Sequence, residues 1–277
     1  MRQTGLEHRG GDMDSLQDRY LSSYPILTRL GRTGPDGIPV PHPMLSAIAP
    51  DLWRMIGEAC FGVIWNRPGL TIEQRSMATI SVIAALRRDD NLKGHIESGL
   101  DVGFSPSQIV EIILQTFFYV GAPIGTTALD IANRVFEERN LAVDPIQVFD
   151  PREDPEELLR RGRAKREEVL GVLPASNGIA VDEDWDRYLL EYLWGSVWTR
   201  PGLDLQSRMI CTLSVLPLVA TNRSLRDHVR GALRIGMEEE QINELFFHLT
   251  FYTGESIARH ARVIAREVFA RREPSSE

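Results

Sequence analysis

Trp65-Asn66-Arg67-Pro68-Gly69-Leu70 returns 133 residues later as Trp198-Thr199-Arg200-Pro201-Gly202-Leu203. The register then holds without a gap to Val135-Phe136 and Val268-Phe269, and about 25 of some 72 aligned positions are identical, far above chance for unrelated segments. Arg75 pairs with Arg208, Thr79 with Thr212, His95 with His228, Gly103 with Gly236, and Phe118-Tyr119-x-Gly121 with Phe251-Tyr252-x-Gly254. The chain is a duplication, read here as an N-terminal repeat over residues 1–145 and a C-terminal repeat over 146–277.

Each repeat reads as helices. Thr71-Ile72-Glu73-Gln74 has the form of a capping box, and Met77, Ala78, Ile80, Ser81, Ile83 and Ala84 follow at helical spacing. Leu92, His95, Ile96, Gly99 and Leu100 mark one stripe of a second helix that Gly103 can end in a left-handed cap. Ser105-Pro106-Ser107-Gln108 supplies an N-cap, a proline in the first turn and a glutamine reaching back, and opens a helix that Gly121 breaks. A fourth helix is predicted from about Pro123 to Arg139. Between the repeats, Asp154 caps a charged helix from Pro155 to about Leu170, closed by Gly171. Leu173–Val181 reads as loop, and Asp182 to Trp198 as helix again. The first 15 residues and the tail from Glu273 are expected to be mobile. Alternating strand patterns and Asn-Gly hairpins are missing, so the fold class is all-α.

Composition narrows the function. In 277 residues the formal charge is −8, with 43% hydrophobic and 25% charged residues, the balance of a folded globular protein. An acidic total argues against nucleic acid as partner, because phosphate binding needs a Lys/Arg excess. No apolar run approaches the roughly 18 residues of a membrane span, and the first 20 residues lack the apolar core of a signal peptide. A cytoplasmic location is therefore the expectation. Cys60 and Cys211 form no C-x-x-C pair, and the six histidines show no HExxH spacing. No metal site and no cofactor is expected, since nucleotide and phosphate-loop fingerprints are also missing.

Several linked motifs resemble the γ-carboxymuconolactone decarboxylase family. Trp194-Gly195-Ser196-Val197-Trp198-Thr199-Arg200-Pro201-Gly202-Leu203 resembles the entry into its helical domain, and Arg161-Gly162 with Arg166-Glu167-Glu168-Val169-Leu170-Gly171 resembles its N-terminal segment. In the first repeat, Arg75-Ser76-Met77-Ala78-Thr79-Ile80 is similar to the R-S-M-x-T helix, and Leu114-Gln115-Thr116 with Tyr119-x-Gly121-x-Pro123 to the turn that follows. The resemblance covers roughly Arg54 to Glu138 and Arg160 to Arg271. It implies two tandem helical domains related by a pseudo-twofold axis. Single-copy relatives build rings of three dimers, so it also implies a homotrimer imitating a hexamer. The wider superfamily includes peroxidases that use a C-x-x-C pair and a glutamate. Here those positions fall on Arg88, Asn91 and Ser76 in one repeat and on Thr221, Ser224 and Met209 in the other, which excludes thiol chemistry.

Decarboxylation of a carboxylated butenolide sets a physical requirement. The electron pair left by CO₂ runs through the ring alkene onto the lactone carbonyl, so the site must stabilise an oxyanion and return a proton to carbon. The substrate carries its own electron sink, and no cofactor is needed. Candidate catalytic residues are His95, His228, Tyr119 and Arg75. Candidate substrate-binding residues are Trp65, Gln115, Arg208, His248, Tyr252 and His260. Each has a plainer alternative: a buried structural histidine, a core aromatic with a satisfied hydroxyl, or, for the arginines, a buried interhelical ion pair. Glu255 and Arg259 read as a surface pair on one helix. The first repeat keeps more of the family's motifs, so the expected pocket pairs His95 as proton donor with Arg75 or Tyr119. The second repeat is read as a structural partner, or as one rebuilt around His248 and His260. The best reading is a cofactor-independent lyase acting on a small carboxylated lactone or cyclic enol acid. A tailoring enzyme for cyclisation, isomerisation or dehydration, and a non-catalytic ligand-binding or assembly protein, are the alternatives.

Overall fold

A computed structural model describes residues 15–172 and 183–271. The N-terminal residues before Ser15, the segment Leu173–Val181 and the tail from Glu273 lie outside the described residues. The chain divides into two compact units, Met1–Pro68 and Gly69–Glu277. Among the described residues every regular element is helical, with only an isolated antiparallel bridge between Thr33 and Pro39.

The first unit holds α1 (Leu16–Arg29), α2 (Pro43–Ile48), α3 (Pro50–Met55) and the π-helix π1 (Ile56–Ile64). Ser15 and Asp18 cap α1 reciprocally, a capping box with aspartate in place of the usual glutamate. At Gly62 a Cβ would sit 1.9 Å from the carbonyl oxygen of Arg19, so α1 and π1 pack backbone to backbone. Trp65 follows π1, buried and tilted against Phe61 with ring centroids 5.8 Å apart.

The second unit contains α4 (Ile72–Ala85), α5 (Asp89–Asp101), α6 (Pro106–Val120), α7 (Ala122–Glu138), α8 (Pro155–Leu170), α9 (Glu183–Tyr188), the π-helix π2 (Leu189–Val197), α10 (Leu205–Val219), α11 (Asn222–Arg234), α12 (Glu239–Thr253) and α13 (Glu255–Ala270). The expected caps form: Thr71 with Gln74 and Ser105 with Gln108 are full capping boxes, and the Asp154 carboxylate accepts from the Glu156 N–H. Gly103 and Gly171 take positive φ at the ends predicted for them. The single helix expected over Asp182–Trp198 is instead a short α-helix running into π2. Its wide turns end with the Trp198 N–H bonded five residues back, to Leu193. A close approach accompanies this. A Cβ on Gly162 of α8 would lie 1.8 Å from the Leu190 carbonyl oxygen, and one on Gly195 2.6 Å from the Leu158 carbonyl oxygen.

Two nearly wholly buried helices, α4 and α10, pack against each other at the centre. Around them α6 of the first repeat lies on α10 of the second, and α12 of the second lies on α4 of the first. This crossing decides which side chains meet.

Candidate active site

Tyr119 lies in the last turn of α6, two residues before Gly121, whose φ of 93° turns the chain into α7; that conformation favours glycine. The phenol does not face His95. Its oxygen accepts a hydrogen bond from Trp198 Nε1 at 3.0 Å and lies 3.5 Å from His228 Nε2, with the two rings edge to face. His228 Nδ1 is 2.8 Å from the Ser224 carbonyl oxygen. A carbonyl only accepts, so Nδ1 carries the proton and Nε2 presents its lone pair to the Tyr119 hydroxyl. Desolvation holds the His228 pKa below its ordinary value, against the opposing pull of the Ser224 carbonyl and Asp227. Desolvation raises that of Tyr119. At neutral pH the pair is thus a neutral phenol donor and a neutral imidazole acceptor. Trp194 stacks on Trp198 at 5.0 Å and lies nearly parallel to the His228 ring at 6.3 Å.

Behind this pair sits a buried polar layer. The Arg208 guanidinium donates to Gln115 Oε1 at 2.9 Å and reaches Glu111 at 3.2 Å, while Gln115 Nε2 donates to Thr212 Oγ1 at 3.2 Å. Glu111 is fully buried and also takes a two-nitrogen contact from Arg200. Arg208 is 1% exposed and its terminal nitrogens are engaged by protein. Arg75 is likewise fully buried, ion-paired with Glu244 at 3.7 Å. The expectation that His95 is paired with Arg75 or Tyr119 is corrected for Tyr119, which the packing of α6 on α10 carries across to His228 of the other repeat; Arg75 lies in a core ion pair that also contacts His248.

His95 meets the second repeat instead. Its ring packs edge to face on Tyr252 of α12, and His248 lies 5.2 Å from the same tyrosine. His248, in the place of Gln115, faces Arg75 through Nδ1 at 3.4 Å and Thr79 Oγ1 through Nε2 at 2.8 Å. It bridges an arginine and a threonine as Gln115 does. His260 is brought to neither cluster; it is exposed on α13 and bonded to Asn222 Oδ1 at 2.8 Å. Glu255 and Arg259 form the expected exposed pair. Trp65 belongs to the first unit. A cavity of about 580 Å³ opens beside π2, lined by Phe117, Phe118, Tyr192, Gly195, Ser196 and Arg200 among others. So π2 presents Trp194 toward His228, and Gly195 and Ser196 to this cavity.

Residue types alone passed over Glu111, Glu244 and Trp194. The two glutamates were recoverable, since they are identical at the 133-residue shift. Among the described residues no group of three or more His, Cys, Asp or Glu is placed to hold a metal ion, and no helix is long and apolar enough to cross a membrane.

The carboxymuconolactone decarboxylase family model matches residues 50–134 and again 183–267, more than half of the chain. The chain belongs to the carboxymuconolactone decarboxylase family. It is 30% identical over 118 residues to 4-carboxymuconolactone decarboxylase of Acinetobacter baylyi, covering 41% of this chain and 88% of that protein. It is 31% identical over 114 residues to nitrosuccinic acid decarboxylase of Metarhizium robertsii, covering 40% of this chain and 80% of that protein. As a tandem member of the carboxymuconolactone decarboxylase family it is decarboxylase-like. Tyr119 from the first repeat and Trp194, Trp198 and His228 from the second converge on one cluster.

Proposed function

We propose that this chain is a cofactor-independent decarboxylase whose reacting site is the Tyr119–His228 cluster built across the two repeats. The observation that supports this most is the contact of Tyr119 with His228 and Trp198, which places a neutral phenol donor beside a neutral imidazole under an indole wall. The two relatives' names denote carboxylic acids with a second electron-withdrawing group, a lactone in one and a nitro group in the other. A substrate of that class leaves its electron pair on its own acceptor when CO₂ departs. Tyr119 then donates to the developing oxyanion or to carbon, and His228 passes a solvent proton back to the phenolate through Nε2, so one proton is consumed per CO₂ released. The apolar walls of Trp194 and Trp198 favour loss of a charged carboxylate as a neutral gas.

This reading takes 1–145 and 146–277 as interlocked repeats, cytoplasmic in location and assembled as a homotrimer; a monomer in light scattering would refute the assembly. For the activity, CO₂ release is measured with 4-carboxymuconolactone and with nitrosuccinic acid. The expected result is turnover on at least one, reduced in Tyr119→Phe. Turnover of neither would overturn the reading.

A further inference from the structure

We infer that the His95–Tyr252–His248 cluster is a second working site of the same kind, taking the same class of carboxylate substrate, so that one chain carries two crossed sites rather than one. The inference rests on the reading of the Tyr119–His228 cluster given above, and extends it to residues where the sequence alone suggested a decayed or rebuilt copy.

Four observations carry it. The histidine and tyrosine rings stand in the same relation in both places: centroids 5.9 Å apart at 81° for His95 and Tyr252, and 5.9 Å at 82° for His228 and Tyr119. Both histidines are nearly enclosed, 8% and 6% exposed. Both tyrosines are the penultimate residue of their helix, two before a glycine with left-handed φ, 93° at Gly121 and 87° at Gly254. The supporting layer is also kept. Thr79 and Thr212 each donate to the carbonyl of the arginine one turn back, at 2.8 and 2.9 Å, and each is bridged to that arginine by a side chain from the crossing helix. Gln115 does so with an amide and His248 with an imidazole.

The tautomer of His248 follows from its partners. Nδ1 faces a guanidinium, which only donates, so Nδ1 accepts. Thr79 spends its own proton on Arg75, so Nε2 must donate to Thr79. The imidazole thus reproduces both polar functions of the glutamine, an acceptor toward arginine and a donor toward threonine. A residue exchanged under release from function has no reason to preserve both bonds and the ring geometry in front of them; a buried layer that held packing alone is satisfied as well by apolar side chains.

The test counts sites directly. Muconolactone, the lactone skeleton without the leaving carboxylate, is titrated by calorimetry into the full chain and into His95→Ala, His228→Ala and the double variant. Tyr252→Phe and Tyr119→Phe serve as a second pair should an alanine variant fail to fold. CO₂ release from 4-carboxymuconolactone is read in parallel. The expected result is two equivalents bound per parent chain and one per single variant. Turnover should be partly retained in each single variant and lowered at least ~10²-fold in the double. One equivalent in the parent, lost with His228 and unaffected by His95, would overturn the second site and leave the first standing. Binding and turnover unchanged in the double variant, or absent from the parent, would overturn both.

Discussion

Acidification should weaken this fold through His248, and Gln115 supplies the control. His248 is fully buried, with Nδ1 accepting from Arg75 and Nε2 donating to Thr79. A second proton has to go onto Nδ1, against the guanidinium of Arg75 on α4, with Glu244 of its own helix the nearest compensating charge at 3.7 Å from Arg75. Burial, and then the Arg75 charge, holds the His248 pKa well below its ordinary value. The unfolded chain, with a histidine pKa near ~6.5, takes up the proton that the folded chain refuses. Stability is therefore full above about pH 6.5 and falls as the pH drops below it, until the folded-state pKa is reached. The slope for one proton is at most ~1.4 kcal/mol per pH unit, so between pH 6.5 and 5 His248 contributes a loss of up to ~2 kcal/mol. In a unit of this size that is about 4–8 °C in Tm. His248→Gln places at this position the side chain that already bridges Arg208 and Thr212, and so keeps the contacts while removing the titration. Melting curves of parent and variant at pH 7.5, 6.5, 5.5 and 5.0 should diverge below 6.5, the variant keeping only the smaller acid loss that His228 contributes in the same direction. Parallel curves would refute the assignment of both imidazole nitrogens.

Glu111→Gln leaves buried Arg208 without its charge partner, a loss of about 3–5 kcal/mol for a broken buried pair; a denaturant midpoint close to the parent's would contradict the network. Gly162→Ala drives a methyl into the backbone of π2, and overpacking of this kind costs about 1–3 kcal/mol or more, so an unchanged Tm would mean that α8 and π2 are not in backbone contact. Cys60 and Cys211 are both buried, and burial pushes the Cys211 thiol up to about 12. Neither should react with a thiol reagent at pH 7 in the folded chain, and both should react once urea unfolds it.

Much of this was legible in the amino-acid order. Helices with strong punctuation, such as Thr71 to Gly103 or Asp154 to Gly171, were placed within a residue or two because capping side chains and positive-φ glycines act locally. The π-helices were not, since a five-residue hydrogen-bond step has no periodic signature in nine residues. Their only trace is glycine where a neighbouring backbone must approach, as at Gly62, Gly162 and Gly195. The site was half legible. The repeat named His95, His228, Tyr119 and Tyr252 correctly as equivalent pairs. Which histidine meets which tyrosine depends on α6 crossing to α10 and α12 to α4, a long-range packing choice between two equivalent helix sets. Nothing within one repeat specifies it. His248 looked like new chemistry as a residue type, yet in place it repeats the two hydrogen bonds of a glutamine.

The central claim, that tyrosine and histidine from different repeats act as one unit, is tested most directly by a double-mutant cycle on kcat/KM for CO₂ release. Tyr119→Phe and His228→Ala are combined in a His95→Ala background, which silences the other site. Groups acting as a unit are not additive. Each single change should lower kcat/KM by ~10²–10⁴, and the double variant should be little worse than either. Losses that simply multiply, or a Tyr119→Phe variant as active as its parent, would contradict the account.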